Sequence, residues 1–588
     1  MLLKVADKCI LKSMASQNAI DFYLLRKDFD MKLTGAQIII ETLIEQGCKT
    51  AFGYPGGAVL NIYDELYNNS DRIEHIITAH EQGASHAADG YARATGEVGV
   101  VIATSGPGAT NLVTGIATAM LDSVPMVAIT GNVSTDLIGR DSFQEVDIMG
   151  ITIPVTKHNY FVKSVDDLAD TIREAFKIAK SGRPGPVLID VPKDVQIASA
   201  EFINKPIEEP FVYEDASEAN IKAAAEIIGE ARRPYIYCGG GVVISDASNE
   251  VMELSTKIDA PIGCSMMGLS AVPSTHENCL GMQGMHGTFA ASRAMAEADV
   301  IIALGVRFSD RATGNKKKFA ASARIIHIDI EPAELGKNIP AYLGIIADVK
   351  STLQKLNKAV KEKKHTEWKQ KVEEFKKKNE NPNFDPSDMR PFQIIDCVKK
   401  YAEKDTVIAT DVGQHQMWTA QRYKFCKPRT FITSGGLGTM GYGLGAAIGA
   451  AKGSGQKTVL FTGDGSFGMN LNELATAVTF DIPVIIVIMN NGVLGMVRQW
   501  QTIFYEKHYS NTTLGRKTNF KLLAEAFGAK GYTCTSMEEF EKAFSEAYAE
   551  GKPTVIDCHI GMDEMVLPMT PPGGTIDQII VKKKDINL

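Results

Sequence analysis

Short runs of apolar, mostly β-branched residues alternate with helical patterns along almost the whole chain, and this alternation restricts the possible folds more than any other feature. The runs are Val98–Ala103, Met126–Thr130, Val187–Val191, Tyr235–Cys238, Val300–Leu304, Ile325–Ile328, Val407–Thr410, Val459–Thr462, Val484–Met489 and Val555–Cys558. They are apolar on both faces at most positions, as in parallel strands that helices cover on both sides. The sequence therefore predicts an α/β protein built from doubly wound parallel sheets.

The chain has 588 residues, which is enough for several domains. Pro206 and Pro210 interrupt an acidic stretch, and a Lys-rich helical pattern ends in the polar segment Asn379–Asn383. These breaks predict an N-terminal extension of unknown purpose, three domains, and a charged helix with a linker before the third domain. The expected bounds are 1–30 for the extension, 31–200, 215–350 and 390–588 for the domains, and 351–389 for the helix and linker.

Composition excludes several classes of protein. The net charge of -8 gives no basic surface for nucleic acid. The nine cysteines are scattered without a CxxC pair, which indicates a reducing compartment and no zinc site. No apolar run reaches the roughly 20 residues of a membrane span, and acidic residues in the first 30 positions argue against a transit peptide. We expect a cytoplasmic protein.

The first and third domains repeat one pattern. A shift of 358 residues, the difference between positions 104 and 462, places Thr104 on Thr462 without a gap. The same shift places Ala117-Thr118-Ala119 on Ala475-Thr476-Ala477, Pro125 on Pro483 and Asn132 on Asn490. Strand–helix–strand units recur in unrelated sheets, so a general likeness is the alternative. Duplication of one domain explains the ungapped match better.

Gly463-Asp464-Gly465 follows one predicted strand, and Asn490-Asn491 follows the next. Because the carboxyl ends of parallel strands meet at one edge of a sheet, we expect Asp464 and Asn491 to lie close together. Their side-chain oxygens suit a magnesium ion that leaves room for phosphate oxygens, and the glycines let backbone amides approach those phosphates. The matching turn of the first copy, Ser105–Gly108, has no acid, so it should serve a different purpose.

Two other motifs are weaker. Gly436–Gly441 matches GxGxxG, but no acid closes the following strand, so we interpret it as a close-packed turn that faces a cofactor. Glu81 follows the strand-like segment His75–Thr78 and opens a helix, where a carboxylate more often stabilises the helix end than catalyses. It belongs to the copy without metal ligands, which suggests two half-sites that meet at an interface. No P-loop pattern occurs, which argues against nucleotide hydrolysis.

Longer motifs accompany these residues: Phe52–Gly57, His80–Ala84, Phe143–Glu145, Ser181–Pro186, Arg307–Arg311, Val412–His415, Ser434–Gly441 and Gly495–Trp500. With Gly463–Gly465 and Asn491, they resemble the catalytic subunits of the acetohydroxyacid synthase family, also called acetolactate synthases, from about Met31 to the end. The resemblance implies an enzyme with a thiamine diphosphate-binding fold and a central FAD-binding domain. Such an enzyme decarboxylates pyruvate and joins the two-carbon unit to pyruvate or 2-ketobutyrate, the first common step of branched-chain amino-acid biosynthesis.

The resemblance also implies roles for single residues at the thiamine diphosphate site. Asp464, Asn491 and the main-chain carbonyl of Val493 would bind magnesium. Glu81 of the partner subunit would be the catalytic group, because it would exchange a proton with the cofactor's pyrimidine ring in a dry site. The remaining contacts to the cofactor would come from Tyr54, Pro55, Pro107, Asn111, Val412, Gly413, Gln414, His415, Gly438, Met440, Gly465, Ser466, Leu494, Gly495 and Met496.

Substrate and flavin contacts are implied in the same way. Arg311 would bind the carboxylate of the second substrate, Trp500 would favour 2-ketobutyrate, and the pocket would be completed by Phe143, Gln144, Lys193 and Met496. FAD would be structural, since the net reaction involves no redox change. Its residues would be Arg183, Gly239, Gly240, Met285, His286, Gly287, Arg307, Asp310, Arg311, Asp329 and Asp348. Ser309 replaces an acid common in the family, which should weaken one contact at most.

Several questions stay open at this level. The family implies a homodimer or tetramer with its active site at the dimer interface, but whether a regulatory small subunit binds, which inhibitor acts and which 2-ketoacid is preferred are not determined. A flavin-dependent pyruvate oxidase and a non-catalytic duplicate are the alternatives, and a nicotinamide dehydrogenase would depend on Gly436–Gly441 alone. A central domain that holds no flavin is disfavoured by Arg307 and Arg311.

Overall fold

A computed structural model describes residues 31–211, 213–378 and 388–582. The predicted extension at 1–30, the polar segment Asn379–Asn383 and the basic tail at Lys583-Lys584 lie outside the described residues. Within the described part, three parallel six-stranded sheets follow one another along the chain, and a separate two-stranded antiparallel pair accompanies the first. The predicted α/β class with three doubly wound parallel sheets is confirmed.

The first sheet has the strand order β3-β2-β4-β5-β7-β6, and β1 pairs with β8 beside it. Its strands are β1 (Met31–Thr34), β2 (Thr50–Tyr54), β3 (Glu74–Ile77), β4 (Gly99–Ala103), β5 (Met126–Asn132), β6 (His158–Phe161), β7 (Pro186–Pro192) and β8 (Ser199–Phe202). Its helices are Gly35–Glu45, Leu60–Asn68, Glu81–Thr95, Pro107–Asn111, Val113–Asp122, Ile148–Thr152, Leu168–Lys180 and Lys193–Ile197.

The central sheet has the order β11-β10-β9-β12-β13-β14. Its strands are β9 (Pro234–Cys238), β10 (Ile262–Cys264), β11 (Cys279–Met282), β12 (Val300–Leu304), β13 (Arg324–Asp329) and β14 (Leu343–Ile346). Its helices are Glu218–Glu230, Gly240–Ile244, Ser248–Lys257, Phe289–Glu297, Asp310–Thr313, Val349–Ala359 and Thr366–Lys377. The Lys-rich segment is therefore two helices, and Trp368 and Phe375 of the second helix are buried against the central sheet.

The third sheet has the order β16-β15-β17-β18-β20-β19. Its strands are β15 (Val407–Thr410), β16 (Phe431–Ile432), β17 (Thr458–Thr462), β18 (Val484–Asn490), β19 (Lys530–Cys534) and β20 (Thr554–His559). Its helices are Pro391–Tyr401, Gln414–Arg422, Gly443–Ser454, Asp464–Asn470, Leu474–Thr479, Gly495–Phe504, Phe520–Ala526 and Met537–Glu550. Asp464 is the first residue of the helix that follows β17.

The first and third sheets have the same topology, strand for strand, as duplication requires. An equivalent hydrogen bond in both copies supports duplication further. In the first copy, Asn132 at the end of β5 donates to Asp190 at 2.6 Å. Asn490 at the end of β18 donates to Asp557 at 2.9 Å in the same way. Each Asp lies two residues before the register partner of its Asn. The two copies thus have an equivalent Asn–Asp hydrogen bond, between β5 and β7 in the first sheet and between β18 and β20 in the third.

The two copies pack against each other through the helices Glu81–Thr95 and Gly443–Ser454. Small residues make the contact: a Cβ atom on Gly90 would lie 2.0 Å from the carbonyl oxygen of Ala446. One on Gly449 would lie 1.8 Å from the carbonyl oxygen of Ala87. The backbones therefore approach more closely than ordinary side chains allow. This seam, defined by the two helices, fixes the first domain against the third.

Two expectations from composition can be compared with the structure. No described helix is both long and apolar enough to cross a bilayer. The eight cysteines within the described residues are all free, from Cys48 to Cys558, and Cys9 lies outside them.

Candidate active site

The carboxyl edge of the third sheet collects the residues predicted to bind the metal and the diphosphate. β15, β17 and β18 are neighbours there, and each leads into a helix that begins at the edge: Gln414–Arg422, Asp464–Asn470 and Gly495–Phe504. The first amides of a helix have no partner within the helix. Three helix starts at one edge therefore present several backbone donors to an anionic group.

These residues surround a small cavity of about 60 Å³. Its lining contains Val412, Gly413, Gln414, His415, Met440, Asp464, Gly465, Ser466, Asn491, Val493, Leu494, Gly495 and Met496. The structure thus brings together every predicted third-domain contact of thiamine diphosphate except Gly438. Gly495 leaves no room for a side chain, because a Cβ there would lie 2.0 Å from Oε1 of Gln414, another residue of the lining.

Burial shifts the pKa values of two titratable side chains in this cavity. Burial raises the pKa of Asp464 to about 6, against hydrogen bonds from nearby backbone amides that lower it. Burial also lowers the pKa of His415 to about 3, so the ring is neutral. Its Nε2 atom has no hydrogen-bond partner within the described protein. A carboxylate, an amide oxygen and a carbonyl of Val493 form an oxygen donor set that fits magnesium, and His415 offers a further polar contact.

A second, larger cavity of about 990 Å³ lies next to the first. Val412, Gly413, Met440 and Met496 line both, so the two cavities meet there. Gly438, Arg311 and Trp500 line the larger one. The guanidinium carbon of Arg311 lies 5.5 Å from the centre of the Trp500 ring, within range of a cation–π contact. A cation and a large aromatic face therefore lie in the wall of the cavity that adjoins the small one.

Most of the predicted flavin residues line the same large cavity. They are Arg183, Gly240, Met285, His286, Arg307, Arg311, Asp329 and Asp348. Four buried atoms in its lining have no partner among the described residues: Ser245 Oγ, Gln283 Oε1, His286 Nδ1 and Glu334 Oε2. A cavity of this size with such unpaired donors and acceptors fits a long, polar and aromatic group such as FAD.

Three predicted flavin residues lie outside this lining. Gly239 packs on the backbone of Gly305, where an added Cβ would meet the carbonyl oxygen at 1.9 Å. Gly287 folds back on the turn that begins at Gly284. The side chain of Asp310 is 75% exposed and lies 3.8 Å from Arg311. These residues shape the cavity wall or its surroundings, and they do not face the space itself.

The first domain assembles the other predicted residues at its own sheet edge. Asn111 donates a hydrogen bond of 2.9 Å to Oε2 of Glu81. A Cβ on Gly108 would lie 3.3 Å from Oε1 of the same carboxylate, so Glu81 sits beside the segment that includes Pro107. Glu81 is part-buried and begins its helix. It is absent from the linings of both cavities described above.

The remaining predicted contacts surround that edge and are open to solvent. Gln144 adopts a positive φ of 61° beside Gly106, and Phe143 is 87% exposed. Tyr54 is 40% exposed at the end of β2, Pro55 follows it, and Lys193 opens the helix after β7. The chain therefore carries two separate groups of site residues, one on each copy of the duplicated domain.

Sequence reasoning missed two buried carboxylates near these groups. Glu473 of the third domain accepts a hydrogen bond of 3.1 Å from the amide of Ala79, two residues before Glu81. Burial raises its pKa. Asp122 of the first domain accepts hydrogen bonds from the amides of Gly435 and Gly436 in the third. Neither belongs to a motif, and their signal is only that an acid occurs in an otherwise apolar helical stretch.

Family models match all three domains. The N-terminal TPP binding domain of thiamine pyrophosphate enzymes matches residues 33–151, the central domain matches 221–356 and the C-terminal TPP binding domain matches 411–558. The fold and the site thus define a thiamine pyrophosphate enzyme.

Sequence identity to individual proteins shows which family of thiamine pyrophosphate enzymes the chain belongs to. A probable acetolactate synthase large subunit of Methanocaldococcus jannaschii is 46% identical over 93% of this chain and 95% of its own length. The acetolactate synthase large subunit of Corynebacterium glutamicum is 45% identical over 93% and 90%. The isozyme 3 large subunit of Escherichia coli is 41% identical over 94% and 99%. The chain belongs to the family of acetolactate synthase large subunits.

Proposed function

We propose that the chain catalyses the acetolactate synthase reaction, in which pyruvate loses carbon dioxide and its two-carbon unit is joined to a second 2-ketoacid. The observation that carries this proposal is the junction of the two cavities. The small one holds Asp464 and Asn491, and the large one presents Arg311 and Trp500 directly beside it. A cofactor anchored in the first would meet a carboxylate-bearing substrate in the second.

Asp464, Asn491 and the carbonyl of Val493 would hold magnesium, and Gln414, His415, Gly465 and Ser466 would hold the diphosphate. When bound, thiamine diphosphate supplies the carbanion chemistry that decarboxylation and ligation need. Glu81 would hold and release a proton at its carboxylate, which the hydrogen bond from Asn111 orients. Arg311 orients the carboxylate of the acceptor, and Trp500 limits the space beside it.

The two half-sites favour an active site between chains. Glu81, with Tyr54, Pro55, Pro107, Asn111, Phe143, Gln144 and Lys193, belongs to the first-domain group, and Asp464 belongs to the third-domain group. Glu81 does not line the cavity of its own chain's Asp464. A second copy would bring a first-domain edge to that cavity, so a homodimer is the smallest active species. A regulatory small subunit and a cytoplasmic location are further proposals that the family favours.

FAD would occupy the large cavity with Arg183, Gly240, Met285, His286, Arg307, Asp329 and Asp348 in its wall. Its unpaired buried atoms support a bound polar group. Because joining two ketoacids after loss of carbon dioxide leaves no electrons to transfer, the flavin would stabilise the site. Oxygen uptake with pyruvate, without acetolactate, would contradict this and indicate an oxidase.

Chain complementation tests the proposal. Glu81→Gln and Asp464→Asn should each abolish acetolactate formation from pyruvate, measured by the colour assay after acid decarboxylation. Glu97→Gln is the matched control, because Glu97 makes an exposed ion pair with Lys180. When the two inactive variants are mixed and reassociated, part of the activity should return, since mixed dimers contain one intact site. Full activity of Glu81→Gln, or no recovery in verified mixed dimers, would contradict it.

A further inference from the structure

Asp122 lies where all three domains meet. Its carboxylate is fully buried at the end of the helix Val113–Asp122. In the third domain it accepts hydrogen bonds from the amides of Gly435 at 2.9 Å and Gly436 at 2.8 Å. In its own domain it pairs with Arg93 at 3.0 Å. Towards the central domain, Oδ1 lies 3.9 Å from Nη2 of Arg307.

The glycine turn that Asp122 holds leads directly to the cofactor cavities. Gly438 and Met440 follow within five residues, and Met440 lines both cavities. Gly436 has no room for a side chain, because a Cβ there would lie 2.9 Å from Oδ1 of Asp122. The turn is further fixed by a hydrogen bond of 2.8 Å between Thr118 and Thr439. A shift of the Asp122 carboxylate would therefore move the segment that carries Met440.

The other side of Asp122 faces the proposed flavin space. Asp122, Ser123, Arg183 and Arg307 all line the large cavity. Arg307 also donates to the carbonyl of Leu121, and Arg183 donates to the Ser123 hydroxyl at 2.8 Å. A ligand that bound the guanidinium of Arg183 or Arg307 would therefore shift the end of the helix Val113–Asp122. The Asp122 carboxylate thus connects the arginines in the wall of the large cavity to the glycine turn that leads to Met440 in the small one.

Building on the proposed function, we propose that Asp122 is a positioning residue that couples FAD binding in the large cavity to thiamine diphosphate binding in the small one. The coupling gives a flavin that transfers no electrons a defined role, because it sets the turn at Gly435–Met440. The ion pair with Arg93 holds the carboxylate on the third side, and a change at Arg307 or Arg183 reaches it through the end of the helix Val113–Asp122. The coupling is reciprocal, as any linkage between two bound ligands must be.

The test measures binding and does not depend on turnover. Full-length protein freed of cofactors is titrated with thiamine diphosphate and magnesium by calorimetry, without and with saturating FAD. We expect FAD to tighten that binding by about fivefold or more in the unaltered chain, the lower end of ordinary coupling. In Asp122→Asn the ratio should fall to within about twofold of one. Asp170→Asn, which removes an exposed carboxylate beside Arg173 and Lys205, should keep the original ratio.

A variant that spares the buried pair guards against misfolding. Arg307 is 31% exposed, and Arg307→Gln, titrated at FAD concentrations shown to saturate that variant, should also bring the ratio to within about twofold of one. A ratio near one in the unaltered chain, or an unaltered ratio in either variant, overturns the proposal. If the unaltered chain bound neither cofactor, the proposed function itself would fail, and the two failures are thereby distinguished.

Discussion

Gly90→Ala tests whether the seam between the first and third domains needs its glycines. Gly90 lies in the middle of the helix Glu81–Thr95, where alanine is intrinsically better than glycine by about 1 kcal/mol. The added Cβ would lie 2.0 Å from the carbonyl oxygen of Ala446, whereas ordinary contacts begin near 3.4 Å. The helices Glu81–Thr95 and Gly443–Ser454 must therefore separate by about 1.4 Å at this point.

Overpacking of this kind costs about 1–3 kcal/mol, and more when backbone must move. Here backbone on both sides is involved, so we place the cost at the upper end, about 3 kcal/mol. Subtracting the gain in helix propensity leaves a destabilisation of about 2 kcal/mol. Hydrogen exchange followed by mass spectrometry reports local opening. Peptides from both seam helices should exchange about thirtyfold faster, because every 1.4 kcal/mol is tenfold.

Gly229→Ala is the matched control. Gly229 is exposed near the end of the helix Glu218–Glu230, and an added Cβ there would have no neighbour within 4 Å. That variant should be neutral or more stable by about 0.5–1 kcal/mol. Unchanged exchange in the seam peptides of Gly90→Ala would refute the claim that close backbone approach holds the two domains together. Faster exchange in both variants would indicate a general effect of the substitution.

Three further predictions concern single side chains. Burial raises the pKa of Asp190 to about 7, so its stabilising contribution is full below pH 4 and is lost as pH rises to 7. Asp190→Asn should therefore reduce the fall in thermal midpoint between pH 4.5 and pH 7.5, and an unchanged fall would contradict this. Trp500→Leu should lower the preference for 2-ketobutyrate over pyruvate in direct competition, while Phe504→Leu, whose ring is 5.5 Å away, should change it less. A thiol reagent at pH 7.5 should label part-exposed Cys426 before Cys397 and Cys48. The reason is that burial raises the pKa of Cys397 to about 11 and that of Cys48 to about 12. Equal labelling of the three thiols would contradict this.

The buried central strands could be predicted because their signal is local. β4, β5, β17 and β18 are apolar along most of their length, and such a strand between helices has few alternatives. Nine of the described strands were not predicted from the sequence: β1, β2, β6, β8, β10, β11, β14, β16 and β19. β2 contains alanine and glycine, β16 has only two residues, and several others are edge strands with exposed positions. Strand pairing, which is not local, decides these elements.

The residues of the candidate site also divide into those that a local signal places and those that only domain packing places. Asp464 and Asn491 could be expected together because each follows a neighbouring strand, and the structure places both in one cavity. The neighbourhood of Asp122 could not be expected, because residues 122, 307 and 435 approach only when three domains are packed. Gly239 is a different case: the resemblance implies a contact with FAD, and in the structure it packs β9 on the Gly305 turn, so its flavin contact stays a prediction. Motifs locate chain segments, and packing decides which side chains face the cavity.

The seam also explains why both half-sites should respond to one substitution. Glu81 is the first residue of one seam helix, and Met440 lies three residues before the other. Glu473 links them again, since it contacts Gly83 and Ala79 from the third domain. Rigid elements position catalytic groups better than loops do. A looser seam should therefore weaken cofactor binding and slow turnover together. Trp500→Leu, which lies in the helix Gly495–Phe504 outside the seam, should change substrate choice and leave thiamine diphosphate affinity as it is.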